Sequence, residues 1–165
     1  VGFPLLWKTQ LMAARDGDGW IECRCGSRHW GLNGAAGLLL IRSGQVLLQL
    51  RAPWVHNGGT WGIPGGARDS HESWREAAIR EAIEEIGIDG EMIDLENALH
   101  FSDDHGDWRY ETIIARALDH FAIGECNHET IEASWFEMGK IEHLPLHASF
   151  ARAWPDLKTL IESSQ

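Results

Sequence analysis

Two apolar runs, Ala35–Arg42 and Gln45–Arg51, are separated only by Ser43-Gly44, and that spacing predicts a β-hairpin of core strands joined by a two-residue turn. Further along, Ile79, Ile83 and Ile86 recur at i, i+4 and i+7, which predicts a helix over about 70–87, with Asp69 or Ser70 as N-cap and Gly87 as the stop. At about 100° per residue the three isoleucines share one arc, and Glu81, Glu84 and Glu85 fall nearly opposite. One face of this helix should be apolar and the other a carboxylate cluster. Strand-like stretches follow at about 92–102, 108–117 and 131–138, and a last helix at 147–161. Between the hairpin and the first helix, residues 57–66 are dense in turn formers, a loop suited to close approach to its own backbone. The order of strands, helix, strands and helix argues for an α/β or α+β sandwich, a mixed sheet between helices. Residues 1–33 read as an N-terminal extension with a Cys-containing hairpin, and residues 34–165 as the main domain.

Charge narrows the partners. The chain has 165 residues, enough for one domain, and 25 acidic against 14 basic side chains give a formal charge of -11. That excess repels nucleic-acid polymers and anionic membrane surfaces. A small polyphosphate would need a cation as intermediary or a locally basic wall. No apolar run reaches the roughly 18 to 20 residues of a bilayer span, and the opening lacks the pattern of a signal peptide, so a cytoplasmic protein, monomer or homodimer, is expected. Cys23, Cys25 and Cys126 are too few, and odd in number, for a disulfide framework.

The glutamates carry the chemistry. Glu81 and Glu85 form an i, i+4 like-charge pair that costs an isolated helix roughly 0.2 to 0.5 kcal/mol. Arg80 can reach Glu84 or Glu76 along the helix, but neither Glu81 nor Glu85 has a basic residue three or four places away. A divalent cation would compensate, and hard cations such as Mg2+ bridge carboxylates to substrate phosphates. A solvated acidic face is the common alternative for such a run.

The surroundings of the run decide between the two. Gly66, Glu72 and Arg80-Glu81-Ala82-Ile83-Glu84-Glu85-Ile86-Gly87-Ile88 together resemble the Nudix box, G-x5-E-x7-R-E-U-x-E-E-x-G-U, with small Ala82 at one aliphatic position. The stretch 59–66 looks like the strand and turn that lead into the box, and Ser134-Trp135-Phe136 like the family's late strand. The resemblance implies an α/β/α sandwich and Mg2+-dependent hydrolysis (Mn2+ being a possible substitute) of a nucleoside diphosphate linked to another moiety. It implies that Glu81, Glu84 and Glu85 bind metal with the carbonyl of Gly65, and that Gly66, Glu72, Arg80 and Gly87 are structural. The metal would neutralise the bridging phosphates, and a carboxylate would take the proton of the attacking water. Glu84 and Glu85 are the catalytic candidates in the box. Among Asp103, Asp104, Asp107, Glu129 and Glu132 outside it, Glu132 is selected.

For the substrate, Arg51 and Arg68 are candidate phosphate partners, and Trp54 and Asn57, with His56, Trp108 and His147, candidate base contacts. Zinc at Cys23, Cys25 and His29 is not expected, because a second Cys pair is absent and Cys-x-Cys is tighter than the usual spacing; Cys126 and His128 could complete such a site only if the fold brought them there. The leading functional reading is a MutT-like pyrophosphohydrolase acting on a nucleoside triphosphate, oxidised ones included. An ADP-ribose or nucleotide-sugar pyrophosphatase is the alternative substrate class. A non-catalytic nucleotide-binding module of the same fold is the alternative function, but such modules lose box glutamates and all are present here.

Overall fold

In the computed structural model, which describes residues 15–165, two short strands, β1 (Trp20–Glu22) and β2 (Arg28–Trp30), pair as a separate hairpin. Residues 1–14 of the expected extension lie outside the described residues. The two apolar runs form β3 (Ala35–Arg42) and β4 (Gln45–Arg51), and Ser43 and Gly44 turn between them with φ of 49° and 75°, the left-handed pair a tight hairpin turn requires. After the pairs Ile41↔Val46 and Arg42↔Gln45 the two strands part. Two short pieces take up their free backbone groups: β5 (Trp61–Gly62) pairs with β4, and β6 (Gly65–Ala67) with the start of β3. The glycine-rich loop is thereby threaded into the sheet.

Helix α1 (Trp74–Ile86) follows. Its N-cap is Ser73, not Asp69 or Ser70: Ser73 and Glu76 form a reciprocal capping box, so the preceding residues belong to a turn. Gly87 ends the helix in the left-handed conformation, with φ 64° and its N–H on the Ile83 carbonyl. Beyond it run β7 (Ile93–Asp104), β8 (Arg109–Ala117) and β9 (Thr130–Glu137), and finally α2 (Ala148–Ser163). Strand β8 lies parallel to β3, whereas β7 on β8 and β9 on β4 are antiparallel, making one mixed seven-stranded sheet.

Alternation along the strands divides the core into two layers. Leu38, Leu40 and Leu47 face α1, and Leu39, Val46 and Leu48 face α2 through Phe150, Trp154 and Leu157. The sandwich of helix, sheet and helix is the one expected. Helix α1 packs differently from its isoleucine pattern. Ala77, Ala78, Ala82 and Ile86 are its fully buried residues, and Ile83 only borders that core. The alanines keep the contact with the sheet thin, which accounts for the small residue at position 82.

Candidate active site

The carboxylate side of α1 is not a solvated face. Glu81 and Glu85 are only 7% and 3% exposed, because this side lies against the β6 turn. The Glu85 carboxylate accepts hydrogen bonds from the Gly65 N–H and from Gln49 Nε2, both at 3.0 Å. Gly66 must lack a side chain here, since a Cβ would stand 2.6 Å from the Glu81 carboxyl. Arg80 donates to both oxygens of Glu72, to Glu81 Oε1 at 2.7 Å and to the Ala67 carbonyl at 2.9 Å. Glu72 and Arg80 therefore clasp the loop to the helix.

Two expectations about these charges are corrected. Arg80 reaches Glu84 at 3.6 Å, but its strong partners are Glu72 and the adjacent Glu81, since Glu76 is spent in the capping box. Glu81 does have cationic partners, because proximity along the helix is not the only route. Arg15 comes from outside the sheet to lie 3.2 Å from Glu81, 3.6 Å from Glu84 and 3.1 Å from Asp69. Glu85 has no salt-bridge partner among the described residues.

Burial sets the protonation of the cluster. It pushes the Glu85 carboxyl up to about 8, with the nearby Glu81 charge adding to the effect and the bonds from Gln49 and Gly65 opposing it. Burial raises Glu81 as well, against the pull of Arg80. On Glu72 burial acts in the same sense but Arg80 and the Asp69 N–H outweigh it, leaving that carboxyl below its usual value. The donor set fits a hard divalent cation. Glu81, Glu84 and Glu85 converge on one cleft with Gly65, the chain already draws a remote guanidinium onto two of them, and Glu85 lacks a compensating charge.

That cleft has a volume of about 690 Å3. Of the sequence candidates it is lined by Arg51, Asn57, Gly65, Gly66, Glu81, Glu84 and Glu85, and also by His56, Asp103, Trp108, Glu129 and His147. Arg51 donates through Nε to the His56 carbonyl at 3.0 Å, and Asn57 bonds to His147 Nε2 at 3.1 Å. Other candidates lie elsewhere. Arg68 is absorbed by the Asn33 and Glu72 carbonyls and covers the Trp74 ring, so it acts as a strut. Trp54 is 68% exposed and bonds to the His128 carbonyl. Glu132 pairs with Leu50 across the sheet, on the face opposite Gln49 and Glu85, and points to solvent. Glu129 is the late carboxylate that does line the cleft. Asp104 and Asp107 do not line it.

Sequence reasoning missed Trp20, Arg28 and Trp30 on the first hairpin, Tyr110 on β8 and Arg152 on α2. Tyr110 is held protonated by burial, reinforced by the Glu85 and Glu81 charges. No spacing links these residues, which come from separate elements; the high tryptophan count, nine in 165 residues, is a signal for the two tryptophans alone. The same hairpin places the sulfur atoms of Cys23 and Cys25 and a ring nitrogen of His29 within 4.8 Å of one another. Cys126 is remote from them, packed against the core beneath α1.

Comparison with known proteins places these features in a family. The model of the NUDIX domain matches residues 31–157. A Mycobacterium tuberculosis protein named "Putative 8-oxo-dGTP diphosphatase 3" is 42% identical over 153 residues, covering 87% of this chain and 70% of its own length. The crystal structure of RenU, a Nudix hydrolase of Mycobacterium smegmatis, superposes with a TM-score of 0.79 at 40% identity, over 89% of this chain and 96% of that one. A MutT NUDIX hydrolase of Burkholderia pseudomallei gives a TM-score of 0.52 at 26% identity, over 74% and 95%.

Proposed function

The chain belongs to the Nudix family of hydrolases, and from that premise we propose that it is a Mg2+-dependent diphosphatase of nucleoside triphosphates, with an oxidised purine nucleotide such as 8-oxo-dGTP as its substrate. The observation that carries the reading is the placement of Glu81, Glu84 and Glu85 beside Gly65 and Gly66 at the wall of a cleft that also holds Arg51 and Arg152. Glu81, Glu84, Glu85 and the Gly65 carbonyl would hold the ion. A bound Mg2+ supplies charge neutralisation for the bridging phosphates and lowers the pKa of a water.

The chain's own groups do the rest. Arg51 and Arg152 present guanidinium groups to the outer phosphate oxygens, a locally basic wall in a protein of charge -11. Glu85, ionised once the ion is bound, accepts the proton of the attacking water. Gln49 and the Gly65 N–H fix the carboxylate for that transfer. Glu72 and Arg80 keep loop and helix in register without touching substrate. The name of the Mycobacterium tuberculosis relative supports the choice of 8-oxo-dGTP over ADP-ribose or a nucleotide sugar.

The test is release of a nucleoside monophosphate, followed by chromatography, from a panel of dNTPs, 8-oxo-dGTP, ADP-ribose, nucleotide sugars and dinucleoside polyphosphates in the presence of Mg2+. The highest kcat/KM is expected on 8-oxo-dGTP. Turnover confined to ADP-ribose or sugars would replace the substrate, and binding without turnover would leave a nucleotide-binding module.

A further inference from the structure

Strands β1 and β2 have three residues each, and an isolated two-stranded hairpin of that length has little stability of its own in water. Its turn is closed by the Cys23 N–H on the Ser27 carbonyl and the Gly26 N–H on the Cys23 carbonyl, both at 3.0 Å, with Gly26 at φ +92°. That turn folds Cys25 back towards β2. Cys25 Sγ comes to 3.1 Å from His29 Nε2, and Cys23 completes a triangle of donors with all separations within 4.8 Å. A tetrahedral zinc ion with Zn–S of about 2.3 Å and Zn–N of about 2.0 Å spaces its donors by roughly 3.5 to 3.8 Å, so the triangle needs only small adjustments.

We propose that Cys23, Cys25 and His29 form a zinc site, with water as the fourth ligand, that staples the first hairpin shut beside Trp108 of the connection between β7 and β8. The donors are soft thiolates and an imidazole, which select zinc over the magnesium of the carboxylate cluster. The His29 ring is set for ligation by stacking on Trp108, with centroids 4.2 Å apart and planes at 6°. Cys23 is buried and its thiol donates to the His105 carbonyl at 3.2 Å; as a zinc-bound thiolate it gives up that bond, and the hairpin keeps its hold on the β7–β8 connection through the Trp108 Nε1–H on the Trp30 carbonyl at 3.2 Å. Asp107 is the nearby carboxylate, but Arg24 engages both its oxygens, through its backbone N–H at 2.7 Å and its Nε at 3.1 Å, which leaves the fourth position to solvent. The missing second Cys pair and the tight Cys-x-Cys spacing argued against zinc at these three residues; the turn at Gly26 nonetheless brings their donor atoms together. Residues 20–30 precede the part of the chain matched by the family model, yet they carry Trp20, Arg28 and Trp30 into the cleft wall. The staple therefore fixes one wall of the substrate cleft.

The test is titration of the reduced, chelator-treated full chain with Co2+, followed by Zn2+. One equivalent of Co2+ should produce a near-ultraviolet thiolate charge-transfer band and visible bands of tetrahedral intensity, both abolished by one equivalent of Zn2+. Zinc content after dialysis should be one per chain. Cys25→Ser, at an exposed position, should lose the thiolate band in large part and weaken binding by at least about tenfold, as should His29→Ala. Glu85→Gln should leave the band unchanged, which separates this site from the carboxylate cluster. Absence of a thiolate band in the wild type, or a band of undiminished intensity and affinity in Cys25→Ser, would overturn the proposal.

Discussion

Replacing Glu85 by Gln should stabilise the metal-free protein while abolishing its response to metal. The folded state holds the Glu85 proton up to about pH 8, whereas a free carboxyl releases it near 4.5. An acid raised in this way favours folding fully below its ordinary value, and that contribution is lost as pH rises through the folded value. The loss is about 1.4 kcal/mol per pH unit, hence about 3 kcal/mol by pH 7 and approaching about 5 kcal/mol above pH 8. The amide introduced by Glu85→Gln is never ionised and keeps an oxygen for the Gly65 N–H, so the variant escapes this loss. In EDTA its melting temperature should match the wild type's near pH 4.5 and exceed it by roughly 6 to 12 °C at pH 7, taking 2 to 4 °C per kcal/mol for a chain of this size. Excess Mg2+ should raise the wild type and leave the variant nearly unmoved. Differential scanning calorimetry from pH 4.5 to 8.5, with and without metal, measures both effects. A gain that does not grow with pH, or a variant less stable than the wild type at pH 8, would refute the burial argument.

Two other substitutions separate scaffold from chemistry. Arg80→Met leaves Glu72 and Glu81 without their shared partner in a nearly buried clasp, and should cost about 3 to 5 kcal/mol, read as a fall in melting temperature of roughly 6 to 20 °C. Gly66→Ala meets no backbone strain, since Gly66 is not in the left-handed region, but its Cβ would press on the Glu81 carboxyl. It should still fold, with a lowered melting temperature, and weaken the apparent affinity for Mg2+ by roughly 10- to 100-fold in an activity titration.

The frame of the molecule was legible because each piece of it rests on local chemistry. The Ser43-Gly44 turn, the strands beside it and the left-handed Gly87 stop all follow from short-range patterns. The start of α1 was misplaced because Asp69 and Ser70 offer capping groups too, and the reciprocal pair Ser73 and Glu76 outcompetes them. Spacing could say that Glu81, Glu84 and Glu85 share a side of the helix, but not that this side is buried against Gly65 and Gly66; that depends on β6 being drawn into the gap between β3 and β4. The cleft's remaining walls were the least readable. Arg68 and Arg51 look alike in sequence, and only the fold spends one on carbonyls and turns the other towards the cleft. Glu132 and Glu129 are three residues apart, and the pleat of β9 sends the first away from the cluster.

The most direct test of the central claim is the steady-state rate of 8-oxo-dGTP hydrolysis as a function of Mg2+ concentration, for the wild type and for Glu81→Gln, Glu84→Gln and Glu85→Gln. The account predicts saturable metal-dependent release of a nucleotide product by the wild type. It also predicts a fall of at least about 100-fold in kcat/KM for Glu85→Gln, about 2.7 kcal/mol of lost transition-state stabilisation, in a protein that melts no lower than the wild type. Hydrolysis that proceeds undiminished in the Glu85→Gln protein, or without any divalent ion, would contradict it.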